Sequence, residues 1–351
     1  MAATSPLVCL LAPSDGELEA AQLSGVASLR TGLTFDETTN AWQISDEDCK
    51  ETVAILLSHL GRVDRALLDR CPKLRVVARH GTGVDNVDLD EATELGVCVC
   101  NVPDYGIEEV ADTGMAHVLA LFRQTAFLDR GIREGQPLGD YATLLQATKA
   151  SRRIRGKTLG IIGLGNIGMA LTQRAKSFGF QVKMYDPYLH PGIEKGIGGV
   201  ERVDTVEELI QGSDCVSIHC PLTKDNHHII NKETLKLFKK EAFLVNVARG
   251  GLVDETALAE ALKTGQLAGA ALDVQEHEPF QLAGSALEGV PNLLLSPHSG
   301  WCSQESVVEA RLGSVKPVAY CIQHPDNPKG IMNCVNRRSL DWDKVMQRWA
   351  Q

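Results

Sequence analysis

The run Leu159-Gly-Ile-Ile-Gly-Leu-Gly-Asn-Ile-Gly168, with Asp186 behind it, constrains the fold of this chain more than any other stretch. Gly163, Gly165 and Gly168 form a G-x-G-x-x-G motif. Thr158–Ile162 is a short apolar run, readable as a buried parallel strand. Asn166–Phe178 reads as a helix, with Ile167, Leu171, Ala175 and Phe178 at helical spacing. Phe180–Tyr185 reads as a second strand, ended by Asp186. In such a unit Gly163 makes the tight turn, Gly165 lets the backbone approach a pyrophosphate, and Gly168 lets helix and strand pack closely. The helix start at Asn166 and Ile167 offers amide N–H groups and a positive dipole end to phosphates. Asp186 can accept hydrogen bonds from a ribose diol. A 2′-phosphate would meet its carboxylate, and Pro187 and Tyr188 supply no cation, so NAD is expected rather than NADP. The plain alternative is an ordinary βαβ unit whose glycines serve packing alone.

The 351 residues suffice for about two domains. A hydrophobic content of 44% and a charged content of 23% are ordinary for a soluble globular chain. With 35 Lys and Arg against 45 Asp and Glu, the net charge of −10 disfavours nucleic acid and anionic membranes as partners. No apolar stretch is long enough to span a bilayer, and the opening Met-Ala-Ala-Thr-Ser-Pro lacks a basic region followed by an apolar one. The ten cysteines include no C-x-x-C, and Cys9, Cys98, Cys100 and Cys215 lie in apolar strand-like runs. Buried free thiols in a reducing compartment, the cytoplasm or the nucleus, are expected, and no metal site is.

Strand-like and helix-like runs alternate throughout, which predicts an α/β fold with parallel sheets. Before the glycine motif, strands are expected at Leu7–Leu11, Val53–Ser58, Leu74–Arg79 and Val97–Cys100, with helices at Val63–Arg70 and Asp88–Leu95. Thr113–Gly131 reads as one long helix. Its apolar face, with Met115, Val118, Leu119 and Phe122, is broader than one domain needs and is expected to form a dimer interface. After the motif, strands are expected at Cys215–His219, Phe243–Val247, Ala268–Asp273 and Asn292–Ser296, and a last helix from Ser303 to Ile322. Because the motif starts near residue 160, a complete small α/β unit precedes it, and the last helix is long enough to return to that unit. The expected organisation is two Rossmann-like or flavodoxin-like domains. The dinucleotide domain, residues 103–309, is inserted in a discontinuous substrate domain, residues 1–102 and 310–351, with the ligand in the cleft.

Three polar residues stand at expected strand ends after the motif: Arg249, Glu278 and His298. A guanidinium can grip a planar carboxylate with two hydrogen bonds. A histidine can pass a proton to or from a hydroxyl, and a carboxylate beside it favours the imidazolium and orients the ring. Around a nicotinamide, these three describe oxidation of a 2-hydroxy acid by hydride transfer. Each has a plainer reading. Arg249 could pair with Asp254, Glu278 could be a surface acid beside Glu276, and His298 could open a helix before Gly300.

At this point the sequence resembles the NAD-dependent D-2-hydroxyacid dehydrogenases. The resemblance is carried by Arg79-His-Gly-Thr-Gly-Val-Asp-Asn-Val-Asp88, Asn246-Val-Ala-Arg-Gly-Gly-Leu-Val-Asp254, Ala271-Leu-Asp-Val-Gln-Glu-His-Glu-Pro279 and Pro297-His298. It implies that Arg249 binds substrate, that His298 is the acid–base and that Glu278 is its partner. It implies that Asp273 holds the nicotinamide carboxamide. His219, Cys220 and Pro221 would pass beside the adenosine half with Asn226 close by, Val247 and Ala248 would line the cofactor, and Thr82 would touch its phosphate. Arg79 and backbone around Gly81 would meet the substrate carboxylate. His59 and Trp301 are expected to shape the side-chain pocket, with packing as the plainer role of each. The family implies a homodimer or a tetramer.

Within the family the chain resembles the C-terminal binding protein branch, whose members are corepressors that keep a dehydrogenase site and grip Pro-x-Asp-Leu-Ser peptides. Asp186-Pro-Tyr-Leu189, Trp301, His227-His228 and Asn333-Cys-Val-Asn336 carry this likeness. The stretch from Arg30 to Asp48, where part of the peptide groove is expected, is polar and acidic at Asp36, Glu37, Asp46, Glu47 and Asp48. That acidity, and the lack of a long tail after Gln351, disfavour a transcription-factor peptide as partner. A 2-keto acid reductase using NADH is therefore the leading reading, with an NAD-sensing corepressor as the second. The first motif also resembles phosphoglycerate dehydrogenases, so a phosphoglycerate or glyoxylate/hydroxypyruvate dehydrogenase is a further alternative.

Overall fold

The structure is a computed structural model, and it describes residues 5–136 and 140–350. The first four residues, which bear on the reading of the opening as leaderless, and Gln351, which bears on the reading of the tail, lie outside them. By its internal contacts the chain divides into two compact units, Met1–Gly106 with Ser303–Gln351, and Ile107–Cys302.

In the first unit, strands β1 (Leu7–Leu11), β2 (Ser28–Arg30), β3 (Thr34–Asp36), β4 (Ala41–Gln43), β5 (Thr52–Leu57), β6 (Val76–Arg79) and β7 (Cys98–Cys100) alternate with helices α1 (Glu17–Leu23), α2 (Asp46–Glu51), α3 (Arg65–Arg70) and α4 (Leu89–Glu94). Five strands form a parallel sheet in the order β2-β1-β5-β6-β7, and β3 and β4 make a separate antiparallel hairpin. Both faces of the sheet are covered, so its strands are apolar without alternation. Along β1, Val8 and Leu10 join one core, while Cys9 and Leu11 join the other. The order reverses between β1 and β5, the pattern of flavodoxin-like sheets.

The second unit carries α5 (Ile107–Arg123), α6 (Thr125–Arg133), α7 (Tyr141–Ala147), β8 (Thr158–Ile162), α8 (Asn166–Ser177), β9 (Gln181–Tyr185), α9 (Ile193–Ile197), β10 (Val200–Arg202) and α10 (Val206–Gly212). These are followed by β11 (Cys215–Ile218), α11 (Lys232–Leu235), β12 (Phe243–Asn246), α12 (Glu255–Lys263), β13 (Gly269–Leu272) and β14 (Leu293–Leu295). Its parallel sheet has the order β10-β9-β8-β11-β12-β13-β14, a Rossmann arrangement whose direction reverses between β8 and β11. The chain then returns to the first unit with α13 (Gln304–Gln323) and α14 (Trp342–Trp349). Between these helices Val335 N donates to Val99 O at 2.8 Å, and the buried Asn336 side chain bonds both Val99 N and Val97 O at 3.0 Å.

Two expectations need correction. Thr113–Gly131 is not one helix. Gln124 adopts φ 59°, in the left-handed region, and separates α5 from α6. The apolar face assigned to a dimer interface is also largely consumed within its own unit. Met115, Val118, Leu121 and Phe122 are buried in one core with Leu159, Leu171 and Phe243. Exposed large apolar residues near this helix lie further on, at Ile132 of α6 and Tyr141, Leu144 and Leu145 of α7. The acidic stretch is likewise less open to repulsion than its composition suggests. Asp48 pairs with Arg30 at 2.7 Å, Asp46 with Arg70 at 2.9 Å, and Asp36 accepts from Thr38 N in its own hairpin turn at 2.9 Å.

All ten cysteines are free thiols, and only Cys302 is exposed. Among the described residues no helix is long and apolar enough to cross a membrane.

Candidate active site

The second unit collects three of the candidate residues at the C-terminal ends of β12, β13 and β14. His298 Nδ1 donates to Glu278 Oε2, 2.7 Å away. Glu278 Oε1 accepts from the backbone N–H of Gln275 at 3.2 Å, so the carboxylate is held on both oxygens. With Nδ1 engaged, Nε2 is the ring atom left to exchange a proton with substrate. Burial pushes Glu278 up, but the hydrogen bond and charge of His298, the Gln275 amide and the charge of Arg249 outweigh it and hold the carboxyl below its ordinary value. His298 itself has φ 53°, so the backbone adopts a left-handed conformation that few side chains other than glycine favour. That conformation is fixed from below. His298 N donates to Asp273 O at 2.6 Å, and the buried Asp273 carboxylate accepts from Ser296 Oγ at 2.5 Å, Ser299 N at 3.1 Å and Gly300 N at 2.8 Å.

Arg249 sits in the turn after β12. Asn246, buried at the end of that strand, accepts from Ala248 N at 3.0 Å and donates to Arg249 O at 2.8 Å, stapling Val247 and Ala248 between them. Arg249 Nη1 donates to Ala248 O at 2.7 Å. The alternative partner Asp254 is occupied as the N-cap of α12, accepting from Ala257 N at 2.9 Å. Glu276, the neighbouring acid, pairs with His228 instead of His298. Sequence reasoning gave no task to Asn246, Gln275 or His117. Gln275 ties β13 to β14 by donating to Leu272 O and Ser296 O, and His117 of α5 bonds Ser296 Oγ at 3.2 Å. The N-x-x-R spacing was the available signal for Asn246. The other two depend on which strands become neighbours.

The glycine motif turns between β8 and α8. Gly163 has φ 90°, and a Cβ there would meet Cys220 N at 2.7 Å, while at Gly168 it would meet Gly163 O at 2.4 Å. Gly165, the N-cap of α8, faces open space, where the first amides of Asn166 and Ile167 lie. Asp186 accepts from Leu164 N at 2.9 Å and from Tyr188 N and Leu189 N at 3.0 and 3.2 Å, which ties the acid to the glycine turn. His219 bonds Ser217 Oγ through Nε2 at 2.8 Å, leaves Nδ1 buried without a partner, and is pushed down to about 3 by desolvation. Asn226 staples the following loop, donating to Pro221 O and Cys220 Sγ and accepting from Thr223 N. An open cradle at Gly165, helix-start amides and a neutral imidazole with an unused polar atom fit a dinucleotide.

In the first unit, His59 follows β5, and Arg79 ends β6 with Nη1 donating to His80 O at 2.5 Å. Gly81 N donates to Arg79 O at 2.9 Å, and Thr82 Oγ1 donates to Val102 O at 3.0 Å. In the second unit, Trp301 is partly buried beyond His298.

A family model described as D-isomer specific 2-hydroxyacid dehydrogenase, NAD binding domain, matches residues 115–300. The chain belongs to this family. It is 39% identical over 273 residues to the glyoxylate reductase of Thermococcus litoralis, covering 78% of this chain and 80% of that protein. It is 34% identical over 336 residues to C-terminal-binding protein 1 of Caenorhabditis elegans, covering 95% of this chain. The chain spans 45% of that relative's length. Among solved structures, a glyoxylate reductase from Paecilomyes thermophila matches with a TM-score of 0.80 at 29% identity, covering 95% of this chain and 99% of that one. D-isomer specific 2-hydroxyacid dehydrogenases are NAD(P)-dependent oxidoreductases acting on CH–OH groups, and the matched residues are their NAD-binding domain.

Proposed function

We propose that this chain reduces a small 2-keto acid to the D-2-hydroxy acid with NADH, and runs the reverse oxidation. The observation that carries this reading is the His298–Glu278 pair at 2.7 Å beside Arg249 in an NAD-binding domain. Bound NADH supplies the hydride. Arg249 grips the substrate carboxylate and polarises the adjacent carbonyl. His298 gives a proton from Nε2 to the carbonyl oxygen, while Glu278 holds Nδ1 and favours the charged ring. Asp273 fixes the loop that presents His298, and the same carboxylate is proposed to meet the nicotinamide carboxamide. On the cofactor's other half we assign Gly163, Gly165, Asn166, Ile167, Gly168, Asp186, His219, Cys220, Pro221, Asn226, Val247 and Ala248. Arg79, Gly81, Thr82, His59 and Trp301 are assigned to ligand on the family likeness alone, and the first unit is read as the substrate domain. We place the protein in the cytoplasm or nucleus, since its thiols are unpaired.

The test is NADH consumption over a series of 2-keto acids: pyruvate, glyoxylate, hydroxypyruvate and 4-methylthio-2-oxobutyrate. At least one should turn over, and NADPH should bind about 10-fold more weakly or worse, the ~1.4 kcal/mol of one mismatched charged contact at Asp186. Equal affinity for the two cofactors removes the role given to Asp186. No oxidation of NADH with any of the series removes the enzymatic reading.

We also propose that the chain forms a homodimer through α6 and α7, whose Ile132, Tyr141 and Leu145 are 64%, 75% and 52% exposed. Light scattering should give a dimer or tetramer at micromolar concentration, and Tyr141→Asp with Leu145→Glu should shift it to monomer. A monomeric parent, or an unchanged oligomer in the variant, contradicts the assignment.

A further inference from the structure

We propose that His227, His228 and Glu276 form a binding site for one divalent transition-metal ion of the class that includes Zn²⁺. One ligand atom from each of the three lies within 4.8 Å of the other two. Consecutive side chains on extended backbone point to opposite sides. Here His228 adopts φ 53°, and the two neighbouring rings instead lie together, with centroids 3.9 Å apart and planes inclined by 30°. His228 Nε2 already contacts Glu276 Oε1.

The backbone beneath these side chains is anchored at three points. His228 N donates to Gly251 O at 2.8 Å, Asn231 Nδ2 donates to His228 O at 3.0 Å, and Glu276 N donates to Glu255 Oε1 at 2.9 Å. The ligands therefore come from two separate connections of the second unit, both tied to the turn and helix start that follow β12, instead of from one loop. His227 is exposed while His228 and Glu276 are half-buried, which leaves an entry path and room for water as a fourth ligand.

The donor set decides the ion class. Two imidazoles and one carboxylate suit Zn²⁺ and its borderline neighbours, whereas Ca²⁺ and Mg²⁺ prefer oxygen alone. A tetrahedral site with bonds of about 2.1 Å holds its ligand atoms about 3.4 Å apart. The three ligand atoms lie within 4.8 Å of one another, and binding would bring them to that separation, opening the direct His228–Glu276 contact. An ion here would tether the segment that carries Glu278 to the loop after β11, without touching the His298–Glu278 pair.

The competing account is a simple His228–Glu276 ion pair beside a solvated His227. Isothermal titration of chelator-treated full-length protein with Zn²⁺ separates the two. One tightly bound ion per chain is expected, with affinity falling by at least about 10-fold in His227→Ala, His228→Ala and Glu276→Gln. Co²⁺ should give the intense visible bands of a four-coordinate ion in the parent and not in His227→Ala. His227 is exposed, so that variant should keep the parental thermal unfolding midpoint and serves if His228→Ala fails to fold. Cys302→Ser, which removes the exposed thiol, should leave the titration unchanged. Failure of the parent to bind Zn²⁺, unchanged binding in His227→Ala, or loss of binding in Cys302→Ser overturns the proposal.

Discussion

His298→Ala is expected to lower turnover of the best 2-keto acid by about 100-fold or more, with NADH affinity little changed. The ring stands at the end of β14 beside Arg249 and is held by a carboxylate, with Nδ1 on Glu278 at 2.7 Å. Its Nε2 proton is the one that reduction delivers to the carbonyl oxygen. Glu278 sets the acid side of the pH profile. Its carboxyl is held below the ordinary 4.5, burial being outweighed by His298, the Gln275 amide and Arg249. The carboxylate is present above the ordinary range, and the pair is lost only as pH falls through the lowered value. In Glu278→Gln turnover should fall and this acid-side dependence should disappear, because no carboxylate remains to hold Nδ1. Steady-state kinetics across pH, with NADH binding followed by fluorescence, measures both. Near-normal turnover in His298→Ala removes the residue from the mechanism.

Arg311→Ala should destabilise the first unit by about 3–5 kcal/mol, the cost of leaving a buried charge without its partner. Glu19 of α1 has no exposed side-chain surface, and both its oxygens meet Arg311 of α13 at 2.7 Å. Desolvation alone would raise the Glu19 carboxyl. The guanidinium reverses that and holds it below its usual 4.5. The pair therefore stabilises the fold above the ordinary carboxylate range and is lost as pH falls through the lowered value. His80, buried 3.9 Å from Glu19 and pushed down to about 4 by desolvation, stays neutral at physiological pH and cannot replace the arginine. Replacing both partners, as Glu19→Leu with Arg311→Met, should recover most of the loss, since no buried charge is then orphaned. Because the chain has two units, hydrogen exchange in β1, β5 and β6 is the cleaner measurement, alongside urea unfolding. An Arg311→Ala protein as stable as the parent would show that water or another cation reaches Glu19.

The residues around both predictions show where sequence reading stops. Gly163, Gly165 and Gly168 declare their places locally, because a turn between a buried strand and a helix start admits few residue types. The apolar runs of β5, β8 and β12 declare buried parallel strands for the same reason. The family resemblance named Glu278 for His298, but local pattern alone did not say which carboxylate serves which histidine. Glu276 and Glu278 stand two apart on one segment, yet one meets His228 and the other His298. Only the path of the chain after β13 separates them.

The alternating α/β order, the glycine turn with its acid, and the residue types Arg249, Glu278 and His298 are all written in the local chain. These follow from local sterics, hydrophobic period and functional-group chemistry, which act over a few residues. The tertiary structure alone decided that the face of α5 is core rather than interface, and that Gln124 breaks the helix after it. It also decided that Asp273 holds up His298, and that Glu19 meets an arginine 292 positions away. Those outcomes depend on which apolar faces find each other when the sheets assemble. A buried polar group then takes whatever partner that packing brings within hydrogen-bond reach.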